Sequence, residues 1–366
     1  MVAEYTNASA ACSTRYRTTM TSPTDKFIEH SLQTSTFFPG SRLFITGNPK
    51  VAGTSLRWWL LPLHGIDVDA LTEQSLWGES APYQTVWDTR IDFRYTWDKL
   101  TSEEREDALT STDVLTVQCI RHPVSRTFSA WAGKYLTLEP YYYEQLPSGF
   151  DHPLGSIDSV DQISSMFDEF MVSLTSHVTE APDWEDLDVH FWPQHRLLGR
   201  QPLGQTLLVQ QERMSSGLDQ IRQHLKEHGI DAPPMPRINE SVVPYQAEFI
   251  SASALQMIAQ LYAGDFDRWD YRAQVAEARP KAVDLAWLND VRGRNRRYGV
   301  IHRAATQGAD RLHALEHELQ LERQNVQHAE AREAALLTSH SWRVTKPIRL
   351  ISDKVRGTKS PEHRRN

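Results

Sequence analysis

Residues 44–59, FITGNPKVAGTSLRWW, combine residue types that bind anions at the start of a helix. The stretch begins with β-forming residues, breaks at a Gly-Asn-Pro turn and resumes with helical content. A helix start offers backbone N–H groups without helical partners and a positive dipole end, which together bind phosphate-like groups. The residues that would complete such a site are Lys50, Gly53, Thr54 and Ser55. The sequence therefore predicts a phosphate-binding loop between a strand and a helix.

The loop differs from that of the nucleoside triphosphatases in the position of its lysine. In their Walker A pattern the lysine directly follows the second glycine. Here Thr54 follows Gly53, and Lys50 lies three residues before that glycine. We therefore expect a phosphate loop of another enzyme class. A tight turn that merely contains Lys and Gly is the alternative interpretation of this loop alone.

A second strand, loop and helix are predicted at residues 113–131, DVLTVQCIRHPVSRTFSAW. Residues 114–120 have the pattern of a buried strand, and the segment becomes helical from Ser125. Arg121 leaves the end of this strand, where open α/β sheets bind ligands, and Ser129 follows eight residues later. Both side chains are expected to reach one anion if the helix folds back on the strand end.

These two stretches resemble the cofactor signatures of the sulfotransferases that use 3′-phosphoadenosine 5′-phosphosulfate (PAPS). PKVAGTSLR resembles their 5′-phosphosulfate loop, and IRHPVSRTFSAW resembles their 3′-phosphate site of the form Arg, seven residues, Ser. Four later segments resemble the carbohydrate branch of that family, which includes the chondroitin and HNK-1 sulfotransferases. These segments are DVHFWPQHRLL (188–198), TLLVQQERMSSGLDQIRQHLKEHGI (206–230), RINES (237–241) and IAQLYAGDFDRWDY (258–271).

The resemblance implies an α/β fold with a P-loop-type parallel sheet flanked by helices over residues 41–275. It also implies transfer of a sulfuryl group from PAPS to an acceptor hydroxyl, with no metal ion required. Such a transfer depends on positioning and on charge stabilisation around an in-line displacement. Lys50 would stabilise the charge that develops on the bridging oxygen. The residues implied to bind the cofactor are Gly53, Thr54 and Ser55 at the 5′-phosphate, Arg121 and Ser129 at the 3′-phosphate, and Arg237 and Ser241 closing over the nucleotide.

The catalytic base is predicted near the Pro-Gln segment. His190 occupies the position that the resemblance assigns to a base, and the pKa of histidine suits proton transfer near neutral pH. An alternative is that His190 only packs between its two aromatic neighbours. His195 lies five residues on and would face elsewhere on a helix. Nearby carboxylates are further alternatives: Glu180, Glu185 and Asp186.

Charge and cysteine content restrict the class of partner. The net charge is −8, of which residues 341–366 contribute +6 and residues 1–340 contribute −14. A body this acidic is not a general nucleic-acid binder, so an anionic ligand must be held by a local arrangement of donors. The two cysteines, Cys12 and Cys119, stand in unlike contexts and predict neither a disulfide framework nor a metal-binding pair.

Four regions are predicted along the chain. Residues 1–40 are rich in Ser and Thr and are predicted to be a disordered tail, and the resemblance implies that residues 41–275 form a sulfotransferase domain. Residues 276–340 are predicted as a helical extension, either a short coiled coil that joins copies of the chain or a helix packed on the domain. Residues 341–366 alternate basic and apolar residues, so they are expected to contact an anionic membrane surface or to be a disordered solubilising tail.

The preferred interpretation is a sulfotransferase that acts on a carbohydrate hydroxyl, in a surface glycan or its lipid-linked precursor. Its expected location is cytoplasmic, peripheral at the inner membrane face, because no run of residues reads as a signal peptide or spans a membrane. The alternative is a non-catalytic or kinase-like P-loop nucleotide-binding protein that acts through its helical tail. A kinase should place a lysine directly after the loop glycine, and a scaffold has no need for Lys50 together with Arg121 and Ser129. Small-molecule, lipid and tyrosyl acceptors would share the cofactor site.

Overall fold

The structure, a computed structural model, describes residues 25–70, 94–139, 155–180, 184–199, 205–236, 241–276, 281–338 and 345. Its strands are β1 (Thr36–Phe38), β2 (Leu43–Ile45), β3 (Leu115–Ile120) and β4 (Gln205–Gln210). Its α-helices are α1 (Asp25–Gln33), α2 (Gly53–Leu63), α3 (Ser102–Thr110), α4 (Pro123–Trp131), α5 (Val160–Glu180), α6 (Gln194–Leu197), α7 (Met214–Glu227), α8 (Ala252–Leu261), α9 (Ala263–Arg268) and α10 (Leu285–Thr338). Short 3₁₀ turns lie at Pro39–Ser41, Trp184–Asp186, Val189–Phe191, Gln211–Arg213 and Ala247–Phe249, and a π-helical turn lies at Ala132–Leu136.

The described strands form one sheet in the order β1, β2, β3, β4. β2, β3 and β4 run parallel, with Leu43 aligned to Leu115 and Leu115 aligned to Gln205. β1 pairs antiparallel with β2 at one edge. Every residue of β2 and β3 is buried. Such burial is typical of parallel strands covered by helices on both faces of the sheet.

Helices pack on both faces of the sheet. Successive side chains of a strand point to opposite faces, so the buried strands need a packing partner on each side. Leu43 belongs to a core cluster with Leu60 of α2 and Ile221 of α7. Phe44, on the opposite face, packs in a second cluster with Ala108 of α3. The predicted α/β architecture, a parallel sheet flanked by helices, is therefore confirmed.

Aromatic packing fixes the helix that follows β3. The ring of Phe128 lies 5.2 Å from that of Phe167 on α5 and 5.4 Å from that of Phe249. Ring pairs at such distances stabilise a core beyond the area that they bury. α4 begins at Pro123, whose missing N–H suits the first position of a helix. The strand and the helix predicted on either side of Arg121 are confirmed, and packing holds them in place.

Residues 25–40 are folded, so the predicted disordered tail over residues 1–40 is wrong in this part. Phe27 on α1 is buried, and Phe37 on β1 is fully buried. The Ser/Thr-rich composition suggested disorder, but the apolar face of a nine-residue helix and a short aromatic strand bury enough surface to fold onto the sheet. Residues 1–24 lie outside the described residues.

Contacts divide the described chain into two units, one up to residue 302 and one from residue 303. In the first unit Asn289, on the first part of α10, donates to the carbonyl of Ile157 at 2.9 Å and accepts its N–H at 2.8 Å. In the second unit the large apolar side chains of α10 that the structure describes are exposed: Leu315, Leu319, Leu321 and Val326. The predicted domain boundaries and the coiled coil stay predictions.

No described helix is long and apolar enough to cross a bilayer. Residues 341–366 lie outside the described part of the chain except for Thr345. Contact of this basic tail with a membrane and the cytoplasmic location therefore stay predictions.

Candidate active site

The connection from β2 to α2 has an unusual backbone at the predicted phosphate loop. Lys50 and Ala52 have φ values of 65° and 66°, in a region that L-residues seldom adopt. Such conformations cluster at functional sites. α2 then begins at Gly53 without a side-chain cap from Ala52. Thr54 is half-buried and Ser55 is buried in the same turn, so the loop has the features of an anion-binding helix start.

The amine of Lys50 lies against the π-helical turn that follows α4. A Cβ added at Gly133 would lie 2.7 Å from Nζ of Lys50, so the amine occupies space that only a glycine leaves there. In the same turn Lys134 donates from Nζ to the carboxylate of Glu139 at 2.9 Å. The pKa of Lys50 is lowered to about 7, mainly by burial and also by the charge of Lys134, while Glu139 opposes both. Negative charge from a ligand would stabilise the ammonium form of Lys50.

Arg121 joins the two predicted cofactor loops. Its Nη1 donates to the carbonyl of Lys50 at 3.4 Å, and its Nε donates to the hydroxyl of Ser125 at 3.1 Å. The pKa of Arg121 is lowered to about 10, mainly by burial, although the carboxylate of Glu212 opposes the shift. The structure therefore brings Lys50 and Arg121 to one place at the carboxyl ends of the parallel strands, where α/β sheets bind ligands.

The remaining predicted cofactor residues differ in where they lie. Ser129 is half-buried on α4, one turn after Ser125, which puts both hydroxyls on the same side of the helix. Ser241 is exposed and donates to the carbonyl of Val243 at 2.7 Å, within a local turn. Arg237 lies outside the described residues. Ser241 and Arg237 stay predictions that rest on the resemblance.

Gln194 fastens the two loops to each other. Its side chain is fully buried. Its Oε1 accepts the N–H of Arg121 at 3.0 Å and the amide of Asn48 at 3.2 Å. Its Nε2 donates to the carbonyl of Arg121 at 2.8 Å. The glutamine of the Pro-Gln segment therefore positions the backbone on either side of the site, because its hydrogen-bonding groups face protein groups.

Arg126 adds a second tie between the phosphate loop and the Pro-Gln segment. Its Nε donates to the carbonyl of Pro49 at 3.1 Å, and its Nη1 donates to the carbonyl of Trp192 at 2.9 Å. Burial lowers the pKa of this arginine. Because the guanidinium spans both segments, the positions of Lys50 and His190 are linked through the backbone.

His190 lies in the Val189–Phe191 turn next to the cationic cluster. Oδ1 of Asp188 lies 2.9 Å from its backbone nitrogen and 2.7 Å from its Nδ1. The pKa of His190 is lowered to about 4, mainly by burial and also by the charges of Lys134 and Lys50, while Asp188 opposes the shift. The imidazole is therefore neutral at pH 7, the form that a general base requires.

The other predicted bases lie elsewhere or are exposed. His195 forms its own pair, in which Nδ1 lies 2.7 Å from Oδ1 of Asp265 on α9. Glu180 and Asp186 are exposed, and the side chain of Glu185 lies outside the described residues. His190 lies close enough to Lys50 and Lys134 for their charges to lower its pKa, so its position favours it as the base.

Sequence reasoning missed three residues of this site: Lys134, Asp188 and Gln194. A lone lysine inside the apolar run SAWAGKYL was a signal for the first, and the spacing Asp-x-His was a signal for the second. Gln194 stands in the Pro-Gln motif, but its local sequence indicates no role for it because its partners Asn48 and Arg121 lie far away in the chain. Within the described ranges no group of three His, Cys, Asp or Glu side chains is arranged to hold a metal ion, and independence from metal stays a prediction.

Comparison with known protein families identifies the family of the chain. The family model described as Sulfotransferase family matches residues 36–272. The chain belongs to the sulfotransferase family. Comparison with curated proteins and with solved structures gives no match. The matched region of this sulfotransferase includes both predicted cofactor loops and the His190 turn, and membership supports an enzyme that transfers sulfuryl groups.

Proposed function

We propose that this sulfotransferase takes its sulfuryl group from PAPS and transfers it to a hydroxyl of a carbohydrate. The observation that carries the donor is a group of three neighbouring cations: Lys50 in the β2–α2 loop, Arg121 after β3 and Lys134 in the π-helical turn after α4. Two of them have lowered pKa values, about 7 for Lys50 and about 10 for Arg121. A partly buried cationic site of this kind favours a ligand with several negative charges, which describes PAPS with its phosphosulfate and its 3′-phosphate.

In this proposal Lys50 stabilises the charge on the bridging oxygen as the bond to sulfur breaks. The start of α2 holds the 5′-phosphate through Gly53, Thr54 and Ser55. Arg121 binds the 3′-phosphate as a charge-assisted donor, with hydroxyls from Ser125 and Ser129. Arg237 and Ser241 contribute from the segment that closes over the nucleotide.

Titration of the protein with nucleotides tests the donor. We expect the product nucleotide, 3′-phosphoadenosine 5′-phosphate (PAP), to bind at least tenfold more tightly than adenosine 5′-phosphate. Replacement Arg121→Ala should lower the affinity for PAP by about tenfold to a hundredfold, because a hydrogen bond to a charged group contributes roughly 1.5–3 kcal/mol. Isothermal titration calorimetry measures both effects.

The matched control for this titration is Arg294→Ala. Arg294 is an exposed arginine on α10 that pairs with Asp290 at 3.1 Å, so its loss removes the same charge away from the site. Equal affinity for the two nucleotides, or no binding of either, would contradict the use of PAPS.

The carbohydrate acceptor is supported by the resemblance of the segments after residue 188 to the carbohydrate branch. Transfer of radiolabelled sulfuryl groups from PAPS to a pool of oligosaccharides tests it, with phenols and tyrosyl peptides as competing acceptors. We expect label in the oligosaccharide fraction. Label confined to phenols or peptides would move the acceptor to another class.

The low pKa of Lys50 predicts that binding of PAP takes up a proton. The amine is about half protonated at pH 7 without ligand, and the phosphate charges raise its pKa. Affinity should therefore fall as the pH rises from 7 to 9, because the free protein must bind a proton first. Calorimetry at pH 8 in two buffers of different ionisation enthalpy measures this uptake, since the ligand phosphates are already ionised there. The variant Lys50→Met should lose it, and uptake that persists in this variant would assign the proton to another group.

A further inference from the structure

One carboxylate oxygen of Asp188 makes two hydrogen-bond contacts with His190. Its Oδ1 accepts the backbone N–H of His190 at 2.9 Å and lies 2.7 Å from the ring Nδ1. A carboxylate only accepts hydrogen bonds, so this contact assigns the ring proton to Nδ1 and leaves the lone pair on Nε2. The backbone and the ring of His190 are therefore oriented by the same atom.

The negative charge of Asp188 is more than a helix-capping role requires. The side chain of Asp188 is 1% exposed, and its Oδ2 has no hydrogen-bond partner among the described residues. A serine or an asparagine caps a turn equally well without a charge. Burying a carboxylate oxygen without a partner costs free energy, so a purely structural cap would not favour aspartate here.

The groups that face Asp188 and His190 come from several elements. Lys50 faces them from the β2–α2 loop and Lys134 from the π-helical turn, and both lower the pKa of His190. Burial lowers the pKa of His30 on α1 and raises that of Tyr135; the charge of Asp188 opposes the first shift and adds to the second. Burial raises the pKa of Asp188, but His190 and Lys134 lower it more, so the carboxylate is ionised beside a neutral imidazole.

We propose that Asp188 is a positioning residue that holds His190 in the tautomer whose Nε2 accepts the proton of the acceptor hydroxyl. This inference rests on the proposed function. As that proton moves to Nε2, the acceptor oxygen forms a bond to sulfur, and the bond from sulfur to the bridging oxygen breaks. The electron pair of that bond stays on the 5′-phosphate of the departing nucleotide, next to Lys50. Asp188 remains ionised and stabilises the imidazolium that forms.

The variant Asp188→Ser separates capping from positioning. Serine retains a side-chain acceptor for the backbone N–H of the turn, but it is too short to orient the ring at Nδ1. The control is Asp168→Ser, which removes a partly buried carboxylate that accepts the hydroxyl of Ser251 at 2.7 Å, away from the site. The variant His190→Ala is included to measure the rate of PAP release when no imidazole is present at this position.

Two readouts test the proposal, and neither needs a known acceptor. Nitrogen-15 spectra of the histidine rings report the tautomer, and release of PAP from PAPS reports transfer to water. We expect the Nδ1–H tautomer of His190 in the parent protein and a mixture of tautomers in Asp188→Ser. Release of PAP should fall about a hundredfold in that variant, the lower end of what a positioned general base contributes. Asp168→Ser should leave both readouts unchanged.

Retention of the Nδ1–H tautomer in Asp188→Ser would overturn the proposal, because the carboxylate would then not set the ring. Equal release of PAP by the parent, Asp188→Ser and His190→Ala would overturn it too, including the case in which none exceeds the rate without enzyme. The nucleotide titration keeps this failure distinct from failure of the proposed function. If the protein still binds PAP more tightly than adenosine 5′-phosphate, the proposed use of PAPS is retained although the role of Asp188 is rejected. If that preference is absent, both the proposed function and the role of Asp188 are rejected.

Discussion

Replacement of Lys50 by methionine is expected to lower the rate of sulfuryl transfer from PAPS by up to about a thousandfold. The ammonium group is assigned to the bridging oxygen, where negative charge develops as the bond to sulfur breaks. A preorganised donor at such a position contributes roughly 10²–10³ to the rate. Methionine keeps the length of the side chain and removes only its charge. Radiolabel transfer to the oligosaccharide acceptors measures the effect.

The control for this variant is Lys226→Met, which removes an exposed lysine of α7. The free energy of unfolding of Lys50→Met should be no lower than that of the parent, because burial already disfavours the ammonium form of Lys50. The rate loss is therefore attributed to chemistry when urea unfolding curves of the two proteins coincide. A rate within threefold of the parent would show that another cation stabilises the leaving oxygen.

Replacement of Gln194 by leucine is expected to lower the free energy of unfolding by about 3–5 kcal/mol, because each buried polar group left without a partner costs roughly 1–3 kcal/mol. Leucine fills a similar volume but offers no hydrogen bond. The N–H and the carbonyl of Arg121 lose their partner, and the amide of Asn48 loses one of its two acceptors. Urea unfolding monitored by circular dichroism measures the change.

The matched control is Gln220→Leu, an exposed glutamine of α7 whose amide donates to the carbonyl of Ser216 at 3.3 Å. Its loss should change the free energy of unfolding by less than about 0.5 kcal/mol, as is usual for surface substitutions. A loss below about 1 kcal/mol in Gln194→Leu would mean that the two loops hold their positions without this residue. Affinity for PAP should fall together with stability, since Gln194 fixes the backbone of Arg121.

Local elements of this fold were predictable because their signals are local. The strand and helix on either side of Lys50, and those on either side of Arg121, follow from runs of β-forming residues, a Gly or Pro break and helical spacing. α1 and β1 were missed for a comparable reason. The Ser/Thr-rich composition of residues 1–40 obscures the apolar face of α1, which includes Phe27. That face is buried only because other parts of the fold pack against it.

The connections within the site were less predictable because they join distant parts of the chain. Asn48 and Gln194 are hydrogen-bonded although 146 residues separate them. No periodicity encodes such a pair. The role of Asp188 depends on the burial of His190 beside two lysines, and burial follows from the assembled fold. The residues with reactive or charged side chains could thus be predicted from the sequence. The residues that orient them are recognised only in the folded structure.

Gly133 affects the position of Lys50, the lysine proposed to be catalytic, from another part of the chain. Lys50 carries the charge, but the empty volume at Gly133, in another segment, decides where that charge rests. An added methyl group would meet only the flexible end of the lysine, so the amine would shift while the fold and the net charge remained the same. In-line displacement tolerates little misplacement, and an error of about 1 Å costs roughly a hundredfold in rate. The absence of a side chain at residue 133 thus determines the position of the Lys50 amine. A substitution there would change the reaction geometry without changing any group proposed to take part in the reaction.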